Sequence, residues 1–181
     1  MCALAFFRLN LVESYTLPLL EVHNMQSNIE VRLAVPSDTD ALFHLNEVFN
    51  GSGESTFDRV RQCLSAPGGE TVVIAFVNQN PAGFLCGQFL RSMCYTADYV
   101  EMTELFVLEE YRRLGVASRL MAFLENYYQQ RGIYAFQLFT GAKNTEAQTL
   151  YRKLGYQQTE ELFMRKRITP SIPPARTDDL L

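Results

Sequence analysis

The 181-residue chain, 48% hydrophobic and 20% charged, has material for one domain with a substantial core and little left for a second. A formal charge of -4, from 16 basic and 20 acidic residues with no basic block, lacks the positive footprint that nucleic-acid backbones reward, and no apolar run is long enough to span a bilayer. Four cysteines, Cys2, Cys63, Cys86 and Cys94, stand without CxxC spacing beside only two histidines, so buried reduced thiols are expected and a protein-built metal site is not.

Residues 1–27 carry no clear period, and Met25 stands just ahead of the first patterned segment, so a mobile N-terminal extension is expected there. Its apolar opening, MCALAFF, is interrupted by Arg8, Asn10 and Glu13 before a signal-peptide core can form, which points to a cytoplasmic location. Ile29 to Val35 alternates as a strand does, and Pro36-Ser37-Asp38 then supplies a stop, an N-cap and an early acidic charge for a helix reaching Phe49. Asn50-Gly51-Ser52-Gly53 is a flexible break, suited to lie over a substrate, and a second helix is expected from Ser55 to Leu64, ended by Pro67-Gly68-Gly69. The β-branched run Thr71–Val77, the turn Asn78–Pro81 and the extended segment Gly83–Tyr95 predict a hairpin, followed by a strand from Val100 to Leu108. In VASRLMAFLENYYQQ, Leu120, Phe123, Leu124 and Tyr127 recur at helical spacing until Arg131-Gly132 caps the helix. A strand from Tyr134 to Thr140, a helix from Thr145 to Leu154 and a last strand from Leu162 to Ile168 follow, before a tail with Pro170, Pro173 and Pro174 that reads as disordered. This order predicts an α/β domain with a mixed sheet flanked by helices.

The chemically informative stretch runs from Glu104 to Ser118, ELFVLEEYRRLGVAS, a strand passing into a helix through an arginine-bearing turn. A helix N-terminus leaves backbone N–H groups unpaired and carries partial positive charge, so a diphosphate can sit there if no side chain blocks it. Gly115 and Ala117 supply the clearance around Val116 and Ser118, and Arg112 and Arg113 can add charge at the rim. A solvated turn with two surface arginines is the alternative reading of the same residues.

Arg112-Arg113-Leu114-Gly115-Val116-Ala117 resembles the pyrophosphate-binding signature Q/R-x-x-G-x-G/A of the GNAT superfamily of N-acetyltransferases, preceded by that family's strand. Asn144 to Tyr156, NTEAQTLYRKLGY, resembles the second family signature, with an asparagine, a small residue and an aromatic ahead of a leucine-glycine-tyrosine close. The resemblance covers Ile29 to Ile168. It implies a mostly antiparallel sheet of about six or seven strands with about four helices, and it divides the chain into an extension over 1–27, an acetyltransferase domain over 28–169 and a tail over 170–181. It also implies acetyl-CoA as cosubstrate, with Phe106, Val107, Arg112, Arg113, Gly115, Val116, Ala117, Ser118 and Asn144 on the cofactor, and pairs of such domains make a homodimer an expectation. Ala117 stands where many relatives have glycine.

The mechanism implied is direct attack of an acceptor amine on the thioester with both substrates bound. An alkyl ammonium of pKa near 10.4 is only about one part in 2500 neutral at pH 7, a deficit of about 4.6 kcal/mol, so a base is needed. The resemblance makes Glu104 the base and Tyr151 the general acid for the departing thiolate, with backbone N–H near Val107 facing the acetyl oxygen. Strand alternation sets Glu104, Phe106 and Leu108 opposite Glu101, Thr103, Leu105 and Val107, so only one of Glu101 and Glu104 faces the acceptor unless a bulge intervenes, as it usually does in this family. Asn144 bonds the pantetheine arm or serves as an N-cap. Asp98, Glu101, Glu104, Glu47, Glu54 and Asp58 fall near the segments that form the acceptor side and suggest a small cationic amine, and TELFV and LFTGAKN look like stretches of GNAT enzymes acting on aminoglycosides. Two other readings stay open: acetylation of a protein lysine or N-terminus, and a CoA-binding module without turnover.

Overall fold

The computed structural model describes residues 28–66 and 69–166. The expected extension over 1–27, the Pro67-Gly68 stop, the end of the last predicted strand and the C-terminal tail lie outside the described residues.

Strand β1 (Ile29–Leu33) leads through a short 3-10 turn at Pro36–Asp38 into α1 (Thr39–Asn50) and α2 (Phe57–Ser65). The entry is fixed electrostatically. Asp38, buried at the turn, takes two bonds from the Arg32 guanidinium, at 2.6 and 2.8 Å, and one from the Val35 N–H at 2.8 Å. Arg32 and then the Val35 amide hold the Asp38 carboxyl below its ordinary range, against the opposing effect of burial. Thr56 caps α2, its hydroxyl accepting from the Arg59 N–H at 3.1 Å.

β2 (Thr71–Val77) and β3 (Asn80–Leu90) form the expected hairpin. Both central residues of its turn, Asn78 at φ 49° and Gln79 at φ 69°, are left-handed, the backbone twist that a two-residue hairpin connection favours. β3 stops at Leu90 rather than Tyr95, and β4 (Tyr99–Val107) returns alongside it. α3 (Val116–Gln129), β5 (Ala135–Leu138) and α4 (Thr145–Lys153) complete the described elements. α3 ends as the sequence indicates: Gly132 sits at φ 82° and the Ile133 N–H reaches back to the Tyr128 carbonyl at 3.1 Å.

The sheet has five strands in the order β1-β2-β3-β4-β5, antiparallel except for the parallel β4–β5 pair. The mixed, mostly antiparallel architecture stands as expected, but the count of six or seven strands is corrected to five among the described residues. The expected strand from Leu162 to Ile168 is not formed over its described residues, 162–166. Its described part has no ladder partner, so Leu162 and Met164 point into solvent, 87% and 89% exposed, and only Phe163 finds an aromatic neighbour, Phe139, at 5.2 Å between ring centres. A short apolar run makes a strand only where an edge receives it.

α3 packs on one face of the sheet, where Val116, Leu120, Met121, Leu124 and Tyr128 meet Val73, Leu85, Val100, Met102 and Val107. α4 joins that side through Leu150, Tyr151 and Leu154. α1 and α2 cover the other face, where Leu42 and Leu45 meet Ile74, Phe84, Cys86 and Phe106. At Gly83 the two central strands come so close that a Cβ would run into the Phe106 carbonyl, which explains glycine at that position.

Candidate active site

β4 carries the site because its register breaks in the middle. Cys86 opposes Glu104, but the next residue of β3, Gly87, opposes Met102, so Thr103 is an extra residue on β4. The bulge reverses the alternation. Val100 and Met102 face the α3 core, whereas Phe106 belongs with Cys86 to the α1 core and Glu104 stands opposite Cys86 on that same side. Glu101 and Glu104 therefore emerge on one face, and the choice that simple alternation would force between them disappears.

The bulge also parts the sheet. β5 pairs with β4 only from Tyr99 to Met102, and from Thr103 to Val107 the edge of β4 that faces β5 has no partner strand among the described residues. The Leu108 N–H donates to the Ala82 carbonyl on the β3 side at 2.9 Å, so the alternate residues Val107 and Leu105 turn their N–H groups to the open edge. Next to this opening lies a cavity of about 200 Å³, whose walls include Thr103, Glu104, Met121, Phe139, Asn144 and Tyr151.

Glu104 opens to solvent at this cavity, yet partial burial and, second, the nearby Glu70 carboxylate raise its carboxyl above the usual glutamate range. Tyr151 is half-buried, which pushes its phenol up from the ordinary value. Its ring lies 6.2 Å from that of Tyr156, whose hydroxyl donates to Glu125 Oε1 at 2.7 Å. Asn144 is the N-cap of α4: its Oδ1 accepts from the Ala147 N–H at 3.2 Å, leaving the Nδ2 amide as the group that could donate into the cavity. The leucine-glycine-tyrosine close proves to be a helix stop, with Gly155 at φ 94° and the Tyr156 N–H bonded to the Tyr151 carbonyl at 3.0 Å.

β4 runs on into the turn before α3. Arg112 folds back, its Nε donating to the Val107 carbonyl at 3.2 Å, so this arginine braces the turn as well as carrying charge. Arg113 takes φ 64° and Gly115 φ 87°, two left-handed residues that bring the chain round to the first turn of α3. No side chain caps that turn, and its first internal bond is from the Arg119 N–H to the Gly115 carbonyl, so the N–H groups of Val116, Ala117 and Ser118 precede the ladder. Arg113 and Gly115 are exposed and Ala117 and Ser118 partly so, while the Val116 side chain belongs to the core and offers only its N–H. Phe106 likewise packs in a cluster with Phe49 and Phe84, and its carbonyl lies against Gly83 of β3, so it gives nothing to the open edge.

Of the six acidic residues expected on the acceptor side, only Glu104 lines the cavity. Asp98 pairs with Arg91, Asp58 with Arg61, and Glu101 Oε2 accepts from Gln137 Nε2 at 2.8 Å. The acidic residue that sequence reasoning missed is Glu70, whose Oε1 accepts from Thr103 Oγ1 at 3.0 Å. It precedes β2 and carries no motif, so no local signal marks it.

Residues 39–156 match the Acetyltransferase (GNAT) family. A curated relative, an aminoglycoside N(6')-acetyltransferase type 1 of Salmonella typhimurium, is 32% identical over 75 residues, which cover 41% of this chain and 52% of that protein. The match thus spans about half the length of that relative. An uncharacterized N-acetyltransferase of Methanocaldococcus jannaschii is 24% identical across 82% of this chain and 71% of its own length. Among solved structures, aminoglycoside N-acetyltransferase AAC(6')-Iy in complex with CoA superposes with a TM-score of 0.66 at 23% identity, covering 78% of this chain and 97% of that one. An aminoglycoside acetyltransferase from an uncultured soil metagenomic sample, in complex with sisomicin, gives 0.69 at 16% identity and the same coverage. Likenesses at these identities speak for the fold alone, but the family match spans most of the chain. With a bulged fourth strand, an uncapped helix after it and both signatures in place, the chain belongs to the GNAT acetyltransferase family.

Proposed function

We propose that this protein transfers the acetyl group of acetyl-CoA to a primary amine of a small cationic molecule, by direct attack with both substrates bound. The observation that carries the reading is the convergence of an open β4 edge and a cavity holding both Glu104 and Tyr151. The residues suit the cosubstrate: the uncapped first turn of α3 fits a diphosphate, and the open edge of β4, with the N–H groups of Val107 and Leu105 turned to it, fits the thioester end of an extended arm. When bound, acetyl-CoA supplies the activated acyl group and a thiolate leaving group.

In this reading Gly115, Val116, Ala117 and Ser118 receive the diphosphate through backbone N–H, with Arg112 and Arg113 beside it, and the Asn144 amide steadies the arm. The Val107 N–H faces the acyl oxygen and accommodates the charge that develops there. Glu104 takes the proton of the acceptor ammonium, directly or through water, and its raised carboxyl makes it a stronger acceptor than an ordinary glutamate. Tyr151, kept protonated by burial, gives a proton to the departing sulfur.

A cationic amine suits the cavity because its polar wall is acidic at Glu104. Relatives named as aminoglycoside acetyltransferases support that class of acceptor. The test is thiol release from acetyl-CoA against aminoglycosides, linear polyamines and lysine-bearing peptides. Turnover with the first two groups is expected. Turnover with peptides alone would transfer the protein to the protein-acetylating enzymes, and coenzyme A binding without any thiol release would make it a binding module.

A further inference from the structure

Glu70 lies outside every strand and helix, one position ahead of β2, yet the residue beside Glu104 on β4 reaches it. Thr103, next to Glu104 along the strand, donates its hydroxyl to Glu70 Oε1 at 3.0 Å. Cys86, next to Glu104 across the ladder, is a buried thiol pushed well up, by desolvation first and by Glu70 second. A carboxylate that touches the residue beside Glu104 and bears on the residue opposite it stands next to Glu104 on the same face of the sheet. The bulge is what permits this, since in an unbroken strand Thr103 and Glu104 would point to opposite faces.

We propose that Glu70 is a positioning residue of this acetyltransferase: anchored by the Thr103 hydroxyl, its negative charge makes Glu104 a better proton acceptor and draws a cationic amine to the Glu104 end of the cavity. The proposal rests on the reading of Glu104 as the base. Its physics is like-charge repulsion. A second carboxylate disfavours ionisation of the first and strengthens its hold on a proton, and a nearby ammonium relieves both.

The other groups around Glu104 leave this influence intact. On β4, Glu101 is occupied by Gln137; on β3, Cys86 is a neutral buried thiol, with Cys63 of α2 behind it; and α4 contributes Tyr151. α1 presents Phe49 to the cavity, and none of the residues lining it is a lysine, arginine or histidine. Glu70 also borders a second, larger cleft with Phe89, Tyr128 and Arg131, whose guanidinium is held by the Tyr127 carbonyl at 2.6 Å and stacks on the Tyr127 ring.

Carbon-13 NMR of the glutamate carboxyls in the ligand-free protein tests the proposal without relying on turnover. The Glu104 titration, assigned by its loss in Glu104→Gln, is expected to move to lower pH in Glu70→Gln and, by less, in Thr103→Val, which frees the Glu70 side chain. Glu70→Asp should restore it in part. An unchanged Glu104 titration in Glu70→Gln overturns the proposal, whatever Glu104 does in catalysis. The acid limb of the kcat profile is expected to move in the same direction, and KM for a cationic amine to rise. A titration that moves while the acid limb stays in place overturns the positioning role, and undiminished turnover in Glu104→Gln would identify the base assignment as the part that failed.

Discussion

Glu101 and Glu104, on either side of the Thr103 bulge, project from the same face of the sheet, yet only Glu104 reaches the cavity. Glu101 is spent on Gln137 of β5, at 2.8 Å, where it ties the two strands together just before they part. The two glutamates thus divide the work of the bulge, one closing the sheet and the other serving the opening.

Glu104→Gln is expected to lower turnover by roughly 100-fold, the usual scale of a lost general base, while Glu101→Gln costs much less. Initial rates at saturating amine check this. The same substitution has a stability signature. A carboxyl whose folded value is raised stabilises the fold below the ordinary glutamate range and loses that contribution as pH rises through the raised value. Glu104→Gln should therefore melt higher than the natural protein at neutral pH, with the difference closing in acid. Thermal melts across that range will show whether it does.

Tyr151→Phe removes the phenolic hydroxyl and keeps the ring that packs against the α3 core. Turnover is expected to fall by about 100-fold with coenzyme A affinity nearly unchanged. Calorimetry with coenzyme A beside steady-state kinetics separates the two, and an unaltered rate would make Tyr151 a packing residue only.

Gly115 is held at φ 87°, and a Cβ there would meet no protein atom within 4 Å. Glycine is needed for the backbone, and for clearance only toward a ligand. Gly115→Val should cost about 1–2 kcal/mol of stability through the left-handed conformation. It should also weaken coenzyme A binding by more than that strain explains, which isothermal calorimetry on the folded variant would measure. Equal affinity in variant and natural protein would remove the helix start from the binding site.

Asp38→Asn breaks the paired bonds from Arg32 at 2.6 and 2.8 Å. A loss of about 2 kcal/mol is expected at neutral pH, the scale for hydrogen bonds to charged groups. Because the folded carboxyl is held below its unfolded value of about 3.9, the contribution is complete above that pH and fades as pH falls through the lowered value. Denaturant melts at pH 7 and about pH 3 should show the gap between variant and natural protein narrowing.

What the sequence disclosed and what it hid divide along a physical line. Features written in neighbouring residues were legible: the hairpin at Asn78, the helix stop at Gly132, the Gly115 turn into α3 and, as one of two readings, the Asn144 cap. Features that exist only between distant segments were not. The bulge is a mismatch of register between β3 and β4, invisible in the period of either and expected only through the family resemblance, and it decides which way Glu104 points. Glu70 meets Thr103 across 33 positions of chain, with nothing beside it to announce the contact. Leu162-Phe163-Met164 is apolar enough to be read as a strand but finds no edge to join among the described residues. Five of the six acidic residues gathered from sequence position are absent from the cavity wall, because nearness in sequence does not fix the direction of a side chain.

The unpartnered stretch of β4 means that a visitor is measured against a ruler of peptide groups. The N–H groups of Leu105 and Val107 recur every second residue, about 7 Å apart, so what settles there must be slender, unbranched and able to answer at that interval. In the fit, the molecule would in effect become one more rung of the β-ladder, and the backbone itself would do the choosing.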